Sequence, residues 1–370
     1  EKTIQIGTSG IKPSIEINPG LTTPDIFDLY EILNYAVNEN YKNVILEVSS
    51  HALSQRRIEN IFFDITAFTN LTHDHLDYHE TMDEYFSEKL KLFNLNKDNG
   101  SSVVMIDDEY GKRIAELNSN VKCISLKNDD ADYFCTSRSI NSFGLAGTLA
   151  WDSETLDFES KLIGSFNLEN LILAISIAIE LNISAQSIAK GIENCTNIDG
   201  RLHLVENQKN QMIFLDYAHS PDAYFRTLKA LEENFSRPLK VLFGAGGGRD
   251  KSKRPKMAEM VEKYSIECYL APDNPRFENI ELINSDVIKG FSNENHDSKI
   301  IDLIMKGEYE LLSNNAENAK FFYEKILDID SSCAFAYLSL SEINLIQNDL
   351  LEYSKSLSRA FELDRSNVEV

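Results

Sequence analysis

Three short segments decide how this chain is read: Glu47-Val-Ser-Ser-His51, Thr69-Asn-Leu-Thr-His-Asp-His-Leu-Asp-Tyr-His79 and Tyr85-Phe-Ser-Glu-Lys-Leu-Lys-Leu-Phe93. Each follows an apolar run or a helix start. The run 44–48 reads as a strand, and so does 62–68. Thr81 with Glu84 forms a capping box that opens a helix through residue 93. Working back, Thr23-Pro24-Asp25 reads as a helix start, with the Thr23 hydroxyl as cap, proline in the first turn and then an acid, and with Ile26, Leu29, Tyr30 and Leu33 following at helical spacing. Working forward, 103–106 is a further strand and 109–117 its helix. Alternating strands and helices predict an open, mostly parallel sheet covered by helices.

The same pattern changes twice. Residues 135–163 are rich in Ser and Thr with short alternating runs, which predicts an antiparallel excursion. Helices follow at 168–181 and 184–193. After Asn197-Ile198-Asp199-Gly200 a second α/β pattern starts, with strands at 212–215, 240–243 and 267–270 and helices after Ser220 and over 254–263. Beyond 295 the pattern is purely helical. There Leu327-Asp-Ile-Asp330 and Phe361-Glu-Leu-Asp364 stand 34 residues apart, the period of tetratricopeptide helix pairs. Tyr323, Ile326, Tyr337 and Leu340 are expected on the packing faces. The predicted organisation is a central α/β domain over 1–197, a second, Rossmann-like α/β domain over 198–292 and an all-α helical-repeat tail over 296–370.

Composition narrows the function. The 370 residues are 42% hydrophobic and carry a formal charge of -23, from 59 acidic and 36 basic side chains. A surface of that sign repels nucleic acid and anionic membranes, so a phosphate-bearing ligand must meet local positive charge. The five cysteines (Cys123, Cys135, Cys195, Cys268 and Cys333) are scattered, odd in number and never spaced C-x-x-C, which fits free thiols in a reducing cytoplasm. No apolar run is long enough for a membrane helix and no basic-then-apolar leader opens the chain.

Several residues carry chemistry by type and position. Ligands of open α/β sheets bind beyond the carboxyl ends of strands, where Glu47 falls. The cluster His73, Asp74, His75, Asp77 and His79 includes a His-x-His spacing known in zinc sites, but its aspartates and lack of cysteine favour a harder cation such as magnesium. Lys89 would repel a cation as an ammonium and bind one as a carbamate. Asp216-Tyr217-Ala218-His219 precedes a helix start. Gly244–Pro255 is glycine-rich and locally basic, so its amides with Arg249, Lys253 and Arg254 are expected to form an anion cradle, although no Gly-Lys-Ser/Thr follows as in a Walker loop. Asp273-Asn274-Pro275-Arg276 displays a guanidinium suited to a carboxylate.

Taken in order, these motifs resemble the Mur ligases of peptidoglycan synthesis, and among them the branch that adds diaminopimelate to a UDP-muramoyl dipeptide. The landmarks are Leu21-Thr-Thr-Pro24, the three opening segments, Gly164-Ser-Phe-Asn-x-x-Asn170, Gly200-Arg201, Asp216–Asp222, Gly246–Lys251 and Asp273–Arg276, over about residues 1–290. The resemblance implies an ATP- and magnesium-dependent, cytoplasmic, amide-forming ligase acting through an acyl phosphate. It implies Glu47 and His75 as magnesium ligands and Lys89 as a carbamylated lysine. It places Thr22, Thr23, Ser49, Gln55 and Arg57 at the UDP-muramoyl dipeptide. Asn170, Arg201, Asp216 and His219 fall on the ATP side, and Arg249, Asp273, Asn274, Pro275 and Arg276 at diaminopimelate. An arginine at 276 suits the extra carboxylate that lysine, the substrate of a sister branch, lacks.

The chain also departs from the family. Gly7-Thr-Ser-Gly10 resembles the strand segment downstream of the phosphate-binding Gly-Thr-x-Gly-Lys-Thr loop and has no lysine. The N-terminal uridine-binding domain and the closing Gly-Lys-Gly-His-Glu segment have no counterpart, and Asp199 and His203 break the usual Pro-Gly-Arg-x-Glu. The expectation is that this chain alone does not turn over. The rival expectation is a non-catalytic relic that binds a protein partner through its helical tail.

Overall fold

The structure, a computed structural model, describes residues 2–17, 20–209, 211–235, 237–292, 307, 310 and 315–363. The chain divides into two compact units, Glu1–Ala218 with Lys229–Ser236 and His219–Leu228 with Arg237–Val370.

The first unit holds two sheets. In the smaller one Thr3–Gly7 is central, antiparallel to Gly10–Lys12 and parallel to Asn43–Leu46, with Ile6 opposite Leu46. Ile4, Ile6, Leu29, Ile32 and Ile58 close its core. Ile32, Leu29 and Ala36 come from the helix Ile26–Asn38, whose apolar positions recur every three to four residues. Asp25 caps this helix, accepting from the amides of Phe27 and Asp28 at 3.0 and 3.2 Å. The sequence reading gave that task to Thr23, but Thr23 is fully buried and its hydroxyl is used elsewhere.

The larger sheet runs Phe63–Phe68, Asn96–Met105, Val121–Ser125, Tyr133–Asn141, Gly144–Trp151 and Glu154–Ser160 in chain order. Its first three pairings are parallel and its last two antiparallel, so the excursion expected over 135–163 is two successive hairpins. Helix Ser165–Glu180 buries Leu168, Leu171, Ile172 and Ile175 in the cluster that contains Val103, Ile124 and Leu149 from the sheet. Half of the expected capping box at Thr81 is present: its hydroxyl accepts from the Glu84 amide at 3.1 Å and the helix Met82–Leu90 follows, while the Thr81 amide donates to the His79 carbonyl instead of the Glu84 side chain.

The second unit contains the parallel pair Leu239–Phe243 and Ser265–Leu270, with helices Lys253–Tyr264 and Ile280–Ile288. Of the expected tail, residues 307, 310 and 315–363 are described. They include helices Ala316–Ile329, Ala334–Ile346 and Leu350–Leu363. Tyr323, Ile326 and Leu340 sit in the core shared by the first two of these helices, as the spacing predicted, and Tyr337 is half-buried. No described helix is long and apolar enough to cross a membrane.

One glycine gives a test of this packing. Gly111 lies inside the helix Glu109–Leu117, where alanine has the better intrinsic propensity by about 1 kcal/mol. A Cβ there would stand 1.9 Å from the Met105 carbonyl oxygen, so helix and strand touch backbone to backbone. Gly111→Ala is expected to destabilise by about 1–3 kcal/mol, as overpacking does. A chemical-denaturation midpoint that rises in the variant would contradict that packing.

Candidate functional site

In the first unit the site starts from a strand pairing. Because Thr3–Gly7 and Asn43–Leu46 run parallel in register, their carboxyl ends emerge side by side. Thr8 then faces Glu47. The Thr8 amide donates to Glu47 Oε2 at 2.8 Å and its hydroxyl to Oε1 at 3.1 Å, while the Thr8 and Thr22 hydroxyls lie 3.1 Å apart. Gly7 leaves room for this, since a Cβ there would come within 2.7 Å of Glu47 Oε2. Thr23 ties the next turn: its hydroxyl donates to the Glu47 carbonyl at 2.8 Å and accepts from the Ser49 amide at 2.9 Å. Arg57 donates from Nη1 to the Thr23 carbonyl at 3.0 Å and from Nε to Gln55 Oε1 at 2.9 Å.

The histidine loop packs on the same region through rings. His51 lies 5.0 Å from His75, 5.6 Å from His79 and 4.2 Å from Tyr78. His79 stacks on Tyr85 at 5.0 Å, and its Nε2 lies 2.8 Å from the Ser50 hydroxyl. Burial pushes His79 below its ordinary value. His75 is in the left-handed region (φ 57°), with its amide bonded to Asp74 Oδ1 at 2.9 Å. Its ring stands edge-on to Tyr85 at 5.7 Å, and the Lys89 ammonium lies 5.2 Å from that Tyr85 ring. Burial pushes the Lys89 amine below its ordinary value, against the opposing pull of Glu47 and Asp74.

Among the described residues, no three His, Cys, Asp or Glu side chains converge as a metal site. Glu47, His75 and Lys89 fit a divalent cation in their donor chemistry only if Lys89 gains a carboxylate. Its depressed basicity favours that change, because an uncharged amine is the form that reacts with carbon dioxide.

A third cluster lies near the end of the first unit. Tyr217 donates its amide to the Gly200 carbonyl at 2.9 Å, and the Tyr217 ring occupies the space a Gly200 Cβ would need. Asp216 accepts from the Leu202 and Ala218 amides, both at 2.9 Å. Between these anchors lies the hairpin His203–Val205 with Ile213–Leu215. Asp199 takes Lys12 Nζ at 2.5 Å and His203 Nδ1 at 3.3 Å, so the two departures at 199 and 203 meet each other.

In the second unit the glycine-rich loop and the Asp273–Arg276 turn lie against each other. Gly247 donates its amide to the Asn274 carbonyl at 2.9 Å, and Arg276 Nη1 donates to the Gly247 carbonyl at 2.5 Å. The Gly248 amide is bonded to Glu278 at 3.0 Å. These loop amides are therefore satisfied within the protein.

Two family models match the chain, the Mur ligase middle domain over residues 1–178 and the Mur ligase glutamate ligase domain over 200–311. The chain belongs to the Mur ligase family. Two curated relatives, both named UDP-N-acetylmuramoyl-L-alanyl-D-glutamate–2,6-diaminopimelate ligase, come from Caldanaerobacter subterraneus subsp. tengcongensis and Fusobacterium nucleatum subsp. nucleatum. They are 38% and 39% identical over 275 and 274 residues, covering 74% and 73% of this chain and 56% of each relative. A solved structure of a ligase of that name aligns with TM-score 0.56 and 28% identity, over 82% of this chain and 64% of the other. The chain thus spans little more than half the length of these curated relatives.

Within this Mur ligase chain the expected residues gather unevenly. Glu47, Thr22, Thr23 and Ser49 are joined by the hydrogen bonds above, Arg57 links Gln55 to Thr23, and His75 and Lys89 both lie near the Tyr85 ring. Asn170 is half-buried on the helix Ser165–Glu180 and Arg201 is exposed beside the Gly200 turn. Asp216 and His219 fall in different units. Arg249 and Arg276 are both exposed, and Asp273, Asn274 and Pro275 form the turn before Arg276. The cradle expected around Arg249, Lys253 and Arg254 needs correction. Arg254 is 1% exposed and Lys253 9%, and Arg254 is held by two carboxylates, so neither faces outward as a surface cation.

Thr8 and Glu278 were missed. Gly7–Gly10 read only as a strand segment, although a Gly-Thr pair at a strand end was a signal that backbone could approach a neighbouring carboxylate. Glu278 carried no local signal, because its partners are 24 and 30 residues away in sequence.

Two outcomes follow from these contacts. Thr23→Val removes the acceptor of the Ser49 amide and is expected to cost about 1–3 kcal/mol, read as a lower denaturation midpoint; an unchanged midpoint would refute the tie. Glu278 lies well below its ordinary value of 4.5, first through the Arg254 hydrogen bond and then through Lys251 and the Gly248 amide. A carboxyl depressed by folding gives stability that is complete above its unfolded pKa and is lost as pH falls through the folded one. Stability should therefore decline below about pH 4.5 and decline less in Glu278→Gln. Identical acid slopes for the two proteins would remove that linkage.

Proposed function

We propose that this chain carries catalytic domains of an ATP-dependent ligase that joins diaminopimelate to the D-glutamyl γ-carboxylate of UDP-N-acetylmuramoyl-L-alanyl-D-glutamate. The observation that carries the reading is the Glu47 carboxylate, held at both oxygens by Thr8 where two parallel strands end side by side. The unprotonated Lys89 nitrogen forms a bond to the carbon of carbon dioxide and releases a proton to solvent, leaving a carbamate. Glu47, His75 and carbamylated Lys89 would then hold magnesium. When bound, magnesium supplies positive charge that stabilises a transferring phosphoryl group.

In the proposed reaction the γ-carboxylate oxygen takes the terminal phosphoryl group of ATP, and ADP leaves. The diaminopimelate amine then forms the C–N bond, the C–O bond to phosphate breaks, and the amine gives up its proton. Thr22, Thr23, Ser49, Gln55 and Arg57 orient the UDP-muramoyl dipeptide at the same strand ends. Asn170, Arg201, Asp216 and His219 serve the nucleotide side. Arg249 and the Asp273–Arg276 turn, with Asn274 and Pro275, receive diaminopimelate, where the Arg276 guanidinium pairs with a substrate carboxylate. The substrates place the reaction in the cytoplasm.

The tail is read as a tetratricopeptide-like module for a protein partner. Helices Ala316–Ile329 and Leu350–Leu363 begin 34 residues apart, which supports a repeat of that period.

Phosphate release by the complete gene product, with ATP, the UDP-muramoyl dipeptide and diaminopimelate, tests the assignment. Lys89→Ala is expected to lower kcat by at least about a hundredfold. Arg276→Ala is expected to weaken diaminopimelate use by roughly tenfold to a hundredfold while sparing ATP. Absence of diaminopimelate-dependent phosphate release from the complete protein would end this reading, and equal loss for both substrates would end the role of Arg276.

A further inference from the structure

The second unit contains a buried ion cluster that none of the steps above uses. Arg254, on the helix Lys253–Tyr264, is 1% exposed. Its Nη2 donates to Glu278 Oε2 at 2.6 Å and to the Gly246 carbonyl at 3.2 Å. Its Nη1 donates to Glu278 Oε1 at 3.1 Å and to Asp286 Oδ2 at 3.0 Å. Glu278 also accepts from the Gly248 amide at 3.0 Å and from Lys251 Nζ at 2.6 Å. One bidentate pair thus grips the glycine-rich loop at Gly246 and Gly248 and, through Glu278, the segment that follows the Asp273–Arg276 turn.

We propose that the Arg254–Glu278 pair is a clamp that sets the spacing between the 244–249 loop and the 273–276 turn, and so positions Arg249 and Arg276 for the amino-acid substrate. This rests on the reading that those two segments receive diaminopimelate. Three observations favour a positioning role over simple stabilisation. The bonds from the pair end on loop backbone, at Gly246 and Gly248. The seam between loop and turn is tight: a Cβ on Gly247 would lie 2.0 Å from the Pro275 carbonyl oxygen, so any change of spacing passes directly from one segment to the other. The guanidinium fork reaches both carboxylates and a carbonyl at once, which a lysine ammonium cannot do in that geometry. Arg254 and Glu278 act through their neighbours and are not assigned contact with substrate.

The test compares the complete gene product with Glu278→Gln, Arg254→Lys and Arg276→Ala. Steady-state constants are measured alongside amide hydrogen exchange. Glu278→Gln and Arg254→Lys are expected to raise KM for diaminopimelate by roughly tenfold, with KM for ATP within about twofold. The Gly247 and Gly248 amides should exchange at least about tenfold faster, while strands Leu239–Phe243 and Ser265–Leu270 keep their protection. Unchanged loop exchange, or equal loss of protection in the strands, would overturn the clamp. Arg276→Ala separates the two readings: an unaltered KM for diaminopimelate there would defeat the substrate assignment, while the exchange data would still judge the clamp.

Discussion

A carboxylate held by its neighbour's backbone organises the first unit. Glu47 is fixed at both oxygens by Thr8, and that is possible only because two parallel strands end level with each other and Gly7 lacks a side chain. Parallel pairing is a long-range product of the fold, since Thr8 and Glu47 are 39 residues apart. The consequence is a preset orientation for an acid that would otherwise rotate freely at a strand end. Thr23 then locks the following turn, and the histidine loop packs beside it through edge-on and tilted ring contacts to His51. These contacts set the geometry of the strand ends from within the protein.

The electrostatics of the chain have a related logic. With a net charge of -23, the bulk surface opposes anionic substrates. Cationic groups serve opposite purposes in different places. Lys89 loses basicity through burial near two carboxylates, while Arg254 is buried among carboxylates that keep it charged. The difference lies in the functional group: an ammonium can shed its proton when desolvated, whereas a guanidinium stays protonated and needs paired acceptors. The paired acceptors make the Arg254 guanidinium a scaffold.

Much of this was legible in the residues. Strand-helix alternation could be read from periodicity, and the Thr81–Glu84 cap was legible because its two halves are three residues apart. The order of the ligase landmarks survived as well, since each is a continuous run. Features made by distant partners were not legible. Thr23 looked like a helix cap until its burial beside Glu47 left the task to Asp25. Arg254 looked like one more surface cation in a basic run, because nothing local marks Glu278 and Asp286 as its partners. The Asp199 and His203 departures looked like losses, yet Asp199 pairs with both His203 and Lys12. Local chemistry is written in short words, and long-range pairing is not.

The closure at Gly200 and Tyr217 has an architectural outcome. The hairpin His203–Val205 with Ile213–Leu215 is fastened at its root by the Tyr217 amide and the Asp216 carboxylate. Those fastenings do not depend on the length of the connection between 205 and 213. The hairpin is therefore fastened at its root by contacts that lie outside that connection. Its far end is a natural seat for a fluorophore or an affinity handle that would leave the seam intact.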